Sequence, residues 1–255
     1  MGPDRPDRKE AMSLHTLPRL FVARDGAAFA DDMDIQMADG QARYLGGVLR
    51  REVGDEVRLF NDDDGEWLAK ISEIRKDRGS FRLQQNLRPP AAEKGPVLVF
   101  ALLKRDATDL VIRMGTELGV SRFVPVITER TVIPRANGER LRTIAVEAAE
   151  QSERLTVPLV EEPVRLTTLL GEWPAENRLY VARERSAVEF PAGINPLTEA
   201  VPGDGLLTGP EGGFTPSELD VLSTRTFVTY VSLGERVLRA ETAIAAGLAL
   251  MQACP

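Results

Sequence analysis

The chain carries one cysteine and one histidine in 255 residues. Cys254 stands beside the C-terminus, so neither an internal disulfide framework nor a thiolate metal site can be assembled from it. With His15 as the sole imidazole, a His/Cys zinc centre within one chain is excluded as well, and a metal-free activity is expected. Long apolar runs are also missing. None approaches the roughly 18 uninterrupted residues that a membrane helix requires. The N-terminus reads Met-Gly-Pro-Asp-Arg-Pro-Asp-Arg-Lys-Glu, which is not a basic segment followed by an apolar one. A cytoplasmic protein is expected, with residues 1–17 as a flexible leader and Met12 as an alternative start. Aromatic residues make up only 5%, but 43% apolar composition over this length is sufficient for one large domain or two modest ones.

The formal charge of −7 is unevenly placed. Residues 1–155 carry 25 basic and 26 acidic side chains, residues 156–235 carry 5 and 12, and residues 236–255 carry 2 and 1. The acidity is therefore local. Glu161, Glu162, Glu172 and Glu176 are expected to face away from a polyanionic partner, leaving Arg43, Arg50, Arg51, Lys104, Arg105 and Arg130 to meet phosphate. The plainer alternative is that these cations form an ordinary solvated face.

Arg88-Pro89-Pro90-Ala91-Ala92-Glu93-Lys94-Gly95-Pro96 reads as a linker, because three prolines and a glycine disfavour helix and central strand alike. Before it, Val57–Phe60, Trp67–Ile71 and Ser80–Leu83 read as short antiparallel strands, with Asn61–Gly65 turning between the first two. A helix placing Tyr44, Leu45, Val48 and Leu49 on one face is expected to precede them. After the linker the pattern alternates. Val97–Leu103 is an apolar strand; Leu110, Val111, Met114 and Leu118 form a helical stripe closed by Gly119; and Arg122–Ile127 starts the next strand. This predicts an α/β domain with a largely parallel sheet. A further helix over about 138–156 is expected to share Glu147, Glu150, Gln151 and Arg154 along a polar side.

Two glycine-bearing loops carry the strongest functional signal. Leu206-Leu207-Thr208 runs into Gly209-Pro210-Glu211-Gly212-Gly213-Phe214. The absent Cβ atoms permit positive φ and close approach of backbone amides to a ligand, and Pro210 stiffens the turn. Thr215-Pro216-Ser217-Glu218 then supplies a capping hydroxyl, a proline at the first helical position and a carboxylate three residues after the cap, so a helix starts there. The second loop, Ser232-Leu233-Gly234-Glu235-Arg236-Val237-Leu238-Arg239, precedes the apolar helical run Ala240–Met251, whose first turn holds Glu241 and Thr242. Two guanidiniums beside a ligand loop favour an anionic partner. Taken singly each loop could be an ordinary turn, and neither has Walker A or dinucleotide-fold spacing.

As a pair, Gly-Pro-Glu-Gly-Gly-Phe and Leu-Gly-x-Arg-Val-Leu-Arg-x-Glu-Thr-Ala closely resemble the signature of the SPOUT methyltransferases, and within them the family that methylates N3 of a uridine in small-subunit ribosomal RNA. Glu117-Leu118-Gly119-Val120, Thr128-Glu129-Arg130 and Glu150-Gln151-Ser152-x-Arg154 with Val157-Pro158 match further family motifs in order, and the resemblance extends from Pro18 to Gln252. It implies an α/β SPOUT domain with a parallel sheet and a trefoil knot over residues 97–255, preceded across the 89–96 linker by a PUA-like RNA-binding β-barrel over residues 18–88. The knot comes from the family alone, since knots are almost absent from folds in general.

The resemblance also implies S-adenosylmethionine as cofactor, held around Leu207, Thr208, Gly209, Pro210, Glu211, Gly212, Gly213, Ser232, Leu233, Gly234, Val237, Leu238 and Thr242. Arg236 and Arg239 become candidates for the uracil anion or an adjacent phosphate, and Glu241 a candidate base or a structural partner of an arginine. Gln151 and Arg154 join the RNA-facing set. A homodimer acting on ribosomal RNA or on an assembled small subunit is implied. Scarce cysteine fits, because methylation at a ring nitrogen needs proton loss, alignment and anion stabilisation but no cysteine adduct. The chain departs from the family at Tyr44, where His is usual, and at Ala107 and Met114, which are often basic. Two alternatives stay open: the same chemistry on another RNA such as transfer RNA, and a non-catalytic RNA-binding ribosome assembly factor.

Overall fold

A computed structural model describes residues 14–133, 135–183 and 195–253, so most of the N-terminal leader and Cys254 lie outside the described residues. The chain divides into two compact units, Met1–Ala92 and Glu93–Pro255. The division falls inside the proline-rich stretch 88–96.

The first unit contains β1 (Arg19–Phe21), β2 (Asp34–Gln36), α1 (Gln41–Arg43), β3 (Glu56–Asn61), β4 (Gly65–Ile74) and β5 (Gly79–Arg88). They form a five-stranded sheet in the order β1-β3-β4-β5-β2, antiparallel except for the β1–β3 pair. Its marginal strands β1 and β2 are not paired with each other among the described residues. Alternation dictates its core. Val57 and Leu59, Trp67, Ala69 and Ile71, and Phe81 and Leu83 point to one buried face with Leu20, Ile35 and Leu45. The expected turn at Asn61–Gly65 is held by the Asn61 side chain, whose Oδ1 accepts from Asp63 N at 2.9 Å and Asp64 N at 2.7 Å. Gly65 adopts φ 74°, and a Cβ there would lie 2.2 Å from the Arg88 carbonyl. Beneath the turn a buried carboxylate is shared by three arginines: Glu66 meets Arg19 at 2.5 Å, Arg88 at 2.7 Å and Arg58 at 3.5 Å. Its charge is thereby compensated inside the protein.

The helix expected around Tyr44 is a correction. After one helical turn, Tyr44–Val48 winds as a π-turn, buries only Leu45, and leaves Tyr44 at 42% and Val48 at 69% exposure. Wider winding breaks the 3.6-residue stripe assumed from the spacing, and Gly46 and Gly47 supply no side chain to cover.

The second unit contains β6 (Val97–Ala101), α2 (Arg105–Glu117), β7 (Arg122–Ile127), α3 (Gly138–Gln151), β8 (Leu159–Val160), β9 (Val164–Arg165), α4 (Leu166–Glu172), β10 (Leu179–Ala182), β11 (Gly205–Thr208), α5 (Pro216–Ser223), β12 (Val228–Val231) and α6 (Ala240–Met251). Every ladder is parallel, in the order β12-β10-β11-β6-β7-β8, with β9 also on β7. Both faces are covered, which is why β6 reads as an uninterrupted apolar run. Leu98, Phe100 and Leu206 enter one cluster with Ile112, Phe123 and Leu248, while Val97, Val99 and Leu207 enter the other with Trp173 and Leu222.

Gly119 takes φ 73° just past α2, as a helix-terminating glycine should. The buried stripe of α2 is displaced from the expected one. Val111, Ile112, Gly115 and Thr116 are buried, whereas Leu110 is 36% exposed. At Gly115 a Cβ would fall 2.6 Å from the Phe123 ring, so this face packs too closely to be marked by large apolar residues. At the start of α5 the predicted capping box is present. The Thr215 hydroxyl accepts from Glu218 N, Glu218 Oε2 accepts from Thr215 N at 2.9 Å, and Pro216 opens the helix.

Candidate functional site

Strands β12, β10 and β11 are neighbours, and all point the same way. Open parallel sheets place ligands beyond the carboxyl ends of their strands. There, the loops after β11 and β12 enclose one cavity of about 940 Å³, with the N-terminal turn of α2 as its far wall. This lies within the range of small-molecule sites, roughly 300–1,000 Å³.

The first loop contributes Thr208, Gly209, Pro210, Glu211, Gly212 and Gly213, and the second Leu233, Gly234, Arg236, Val237, Leu238 and Arg239, followed by Glu241 from α6. Segments far apart in sequence are thus brought onto one volume. Three residues expected beside them are not on its wall. Leu207 is fully buried in the core, Thr242 is exposed on α6, and Ser232 braces the loop from behind, its Oγ accepting from Gly234 N at 3.3 Å.

Backbone freedom matters at fewer glycines than the sequence implied. Only Gly213, at φ 66°, and Gly234, at φ 110°, occupy the left-handed region within these loops. Gly209 is required for space instead, because a Cβ would meet the Phe214 ring at 3.1 Å. Gly213 N donates to Pro210 O at 2.8 Å and closes the turn.

Sequence reasoning missed part of the lining: Asp106, Ala107 and Leu110 of α2, Ala182 and Arg183 at the end of β10, and Phe214. The signal for β10 was a four-residue apolar run, too short to be told from a buried turn. Arg183 lies over the Tyr230 ring, 5.7 Å from its centroid. Burial pushes the Tyr230 phenol above its ordinary range against the opposing pull of Arg183, so it stays protonated and donates to Leu219 O at 3.0 Å. It is no candidate for a general base.

The wall is chemically mixed, with Asp106, Glu211 and Glu241 facing Lys104, Arg183, Arg236 and Arg239 across the same cavity. Neither Arg236 nor Arg239 forms an ion pair among the described residues, which leaves both guanidiniums available to a ligand. The Thr208 hydroxyl is buried and lacks a hydrogen-bond partner among the described residues. A buried hydroxyl in that state requires a partner from whatever enters. A ligand with a flat apolar-edged ring, polar edges and charges of both signs fits this donor set, and S-adenosylmethionine is such a ligand.

The expected RNA-facing residues separate into several groups. Arg43, near Asp77 at 3.4 Å, and Arg50 are exposed on the first unit, while Arg51 is half-buried there. Lys104 lines the cavity, with Arg105 exposed beside it, and Gln151 is exposed at the end of α3. Glu162, Glu172 and Glu176 are exposed and Glu161 pairs with Arg122 at 3.2 Å; none lines the cavity. Arg154 is a correction. It lies beyond α3, its side chain is 7% exposed, and it donates to Glu93 at 2.8 Å and to the carbonyls of Thr116 at 2.8 Å and Val120 at 2.9 Å. A guanidinium held on these partners ties the start of the second unit to the end of α2. Arg154→Ala is expected to destabilise the protein by about 1.5–3 kcal/mol, because it removes charge-assisted bonds from a buried guanidinium to the Glu93 carboxylate and to two carbonyls. Denaturant unfolding measures this, and a loss below about 0.5 kcal/mol, typical of a surface site, would contradict it.

A parallel α/β unit with a glycine-lined cavity at adjacent strand ends, joined in one chain to a small β unit, defines a ligand-binding enzyme domain with an accessory module. The RNA methyltransferase domain family model matches residues 93–252, and the RNA methyltransferase PUA domain model matches residues 38–84. The chain is 36% identical to the ribosomal RNA small subunit methyltransferase E of Rickettsia conorii over 91% of this chain and 93% of that one. It is 33% identical to that of Synechocystis over 96% and 80%. Among solved structures, ribosomal RNA small subunit methyltransferase E from Neisseria gonorrhoeae, bound to S-adenosylmethionine, superimposes with a TM-score of 0.79 at 27% identity, covering 92% of this chain and 97% of that one. The chain belongs to the RNA methyltransferase family, among the ribosomal RNA small subunit methyltransferase E proteins.

Proposed function

We propose that this protein methylates N3 of a uridine in small-subunit (16S) ribosomal RNA, using S-adenosylmethionine, and that it acts in the cytoplasm as a homodimer on an assembled or nearly assembled particle. One observation carries the reading: both glycine loops and two arginines without an ion-pair partner among the described residues line a single cavity of cofactor size. Residues 18–88 are assigned as the RNA-binding PUA-like module, 89–96 as linker and 97–255 as the methyltransferase domain, with its C-terminal strands and α6 threaded as a trefoil knot.

When bound, S-adenosylmethionine supplies an electrophilic sulfonium methyl group. The chain's own residues do the rest. The backbone of Gly209–Gly213 and Leu233–Leu238 holds the cofactor, with the Thr208 hydroxyl as an inner polar contact and Glu211 orienting the loop. Arg236 and Arg239 face the uracil: one guanidinium stabilises the negative charge that develops on the ring as the N3 proton leaves, and the other holds the ring or its phosphate. Of the carboxylates on the cavity wall, Glu241 and Asp106 are the candidates to accept that proton, with Glu241 alternatively a structural partner of an arginine. Lys104, Arg105, Gln151, Arg43, Arg50 and Arg51 meet the RNA backbone.

Methyl transfer from labelled S-adenosylmethionine to unmodified small subunits, naked small-subunit RNA and transfer RNA tests the substrate. Incorporation into the ribosomal samples, with particles favoured, is expected. Preference for transfer RNA would overturn the target. RNA binding without either cofactor binding or transfer would favour an assembly factor.

A further inference from the structure

The turn that follows β7 reaches the glycine loop although more than 80 residues separate them in sequence. Thr128–Thr131 is itself rigidly tied. Thr128 N donates to Thr131 Oγ1 at 2.9 Å, Thr131 N donates to Thr128 O at 3.2 Å, and the two hydroxyls lie 3.0 Å apart. Two bonds then leave this turn. Glu129 N donates to Glu218 Oε1 at 2.8 Å, and Arg130 Nη1 donates to the Gly212 carbonyl at 2.5 Å.

One bond ends on the glycine loop itself, at the Gly212 carbonyl, and the other on Glu218 in the first turn of α5, just past that loop. Glu218 is buried, and its second oxygen is already committed to the capping box through Thr215 N. The carboxylate therefore joins the helix start to the neighbouring turn instead of serving the helix alone. Arg130 covers the outer side of Gly212: its Cδ lies 3.3 Å from where a Cβ would stand. Gly212 and Gly213 line the cavity from their inner side. A peptide whose carbonyl is fixed from outside by a charged donor cannot rotate without losing that charge-assisted bond.

We infer that Arg130 is a positioning residue for the cofactor, latching the Gly212 peptide in its binding conformation, and not one of the RNA phosphate contacts. This rests on the S-adenosylmethionine reading of the cavity. It also gives a reason for arginine at an exposed position: the stem packs on the glycine while the planar fork donates sideways, which a lysine does less well.

The test is Arg130→Ala and Arg130→Lys in the full chain, with S-adenosylmethionine affinity by calorimetry, small-subunit RNA affinity over a range of salt, and steady-state kinetics. Arg130→Ala is expected to raise the cofactor Kd roughly tenfold, from loss of the charge-assisted bond. Arg130→Lys should recover part of it. The kinetic loss should fall mainly on KM for the cofactor, and the salt dependence of RNA binding should keep its slope. A wild-type cofactor Kd in Arg130→Ala would overturn the latch, most clearly if the salt slope fell by about one unit, as loss of one phosphate contact predicts. Wild-type protein that fails to bind S-adenosylmethionine would remove the cofactor reading and the latch together. Normal wild-type binding with an unaltered variant removes the latch alone.

Discussion

Gly213→Val is expected to abolish measurable S-adenosylmethionine binding while leaving the protein folded. Gly213 holds φ 66°, where a β-branched residue is a steric outlier. Keeping that conformation costs about 1–2 kcal/mol, and abandoning it rotates the peptides that line the cavity. The fold should survive, because a Cβ at this position meets nothing within 4 Å and so breaks no packing. The branched side chain would enter the cavity or spoil the turn closed by Gly213 N and Pro210 O, and either displaces the ligand. Calorimetric titration beside a thermal melt separates the two effects: lost binding with a near-native melt is expected. Gly213→Ala should be intermediate, since alanine tolerates the left-handed region better. Native affinity in the valine variant would take this loop out of the site.

Arg239→Ala is expected to lower turnover at saturating RNA and cofactor by roughly tenfold or more, with cofactor affinity nearly intact. The arginine stands on the cavity wall at the N-terminus of α6, among the described residues without an ion-pair partner, and its removal exposes no buried partner. Its contribution should therefore lie in the charge that develops on the uracil ring, an interaction stronger in the transition state than in the ground state. Arg239→Lys keeps the charge but loses the fork, and should recover only part of the rate. A proportional loss in cofactor affinity would place this arginine on S-adenosylmethionine, and unchanged turnover would remove it from the chemistry.

The second unit was more legible than the first, for physical reasons. Parallel strands covered on both faces read as continuous apolar runs, so β6 and β7 stood out, and the Thr215–Glu218 capping box located α5 to the residue. The helix face near Tyr44 was misread, because a π-turn obeys neither the period of a helix nor that of a strand. The stripe of α2 was displaced because its closest packing is made by Gly115 and Thr116, residues that hydrophobic spacing ignores.

The same distinction applies at the site. The paired glycine loops could be read directly, since glycine clusters and an Arg-x-x-Arg spacing are local features of sequence. The α2 wall, Arg183 and the contact between Arg130 and Gly212 exist only once β7, β6, β11 and β10 are set side by side. Arg154 shows the opposite error. Its place in a motif suggested RNA, whereas burial against Glu93 and two carbonyls gives it a structural task.

The most direct test of the central claim is the identity of the product nucleoside. Small subunits lacking the modification are incubated with the protein and S-adenosylmethionine, and their RNA is digested and resolved by mass spectrometry. N3-methyluridine, formed by the wild-type protein and absent with Gly213→Val, is the predicted result. A C5-methylated, ribose-methylated or purine-methylated product would contradict the proposed chemistry, and no methylated product despite saturating cofactor would contradict methyl transfer to this RNA altogether.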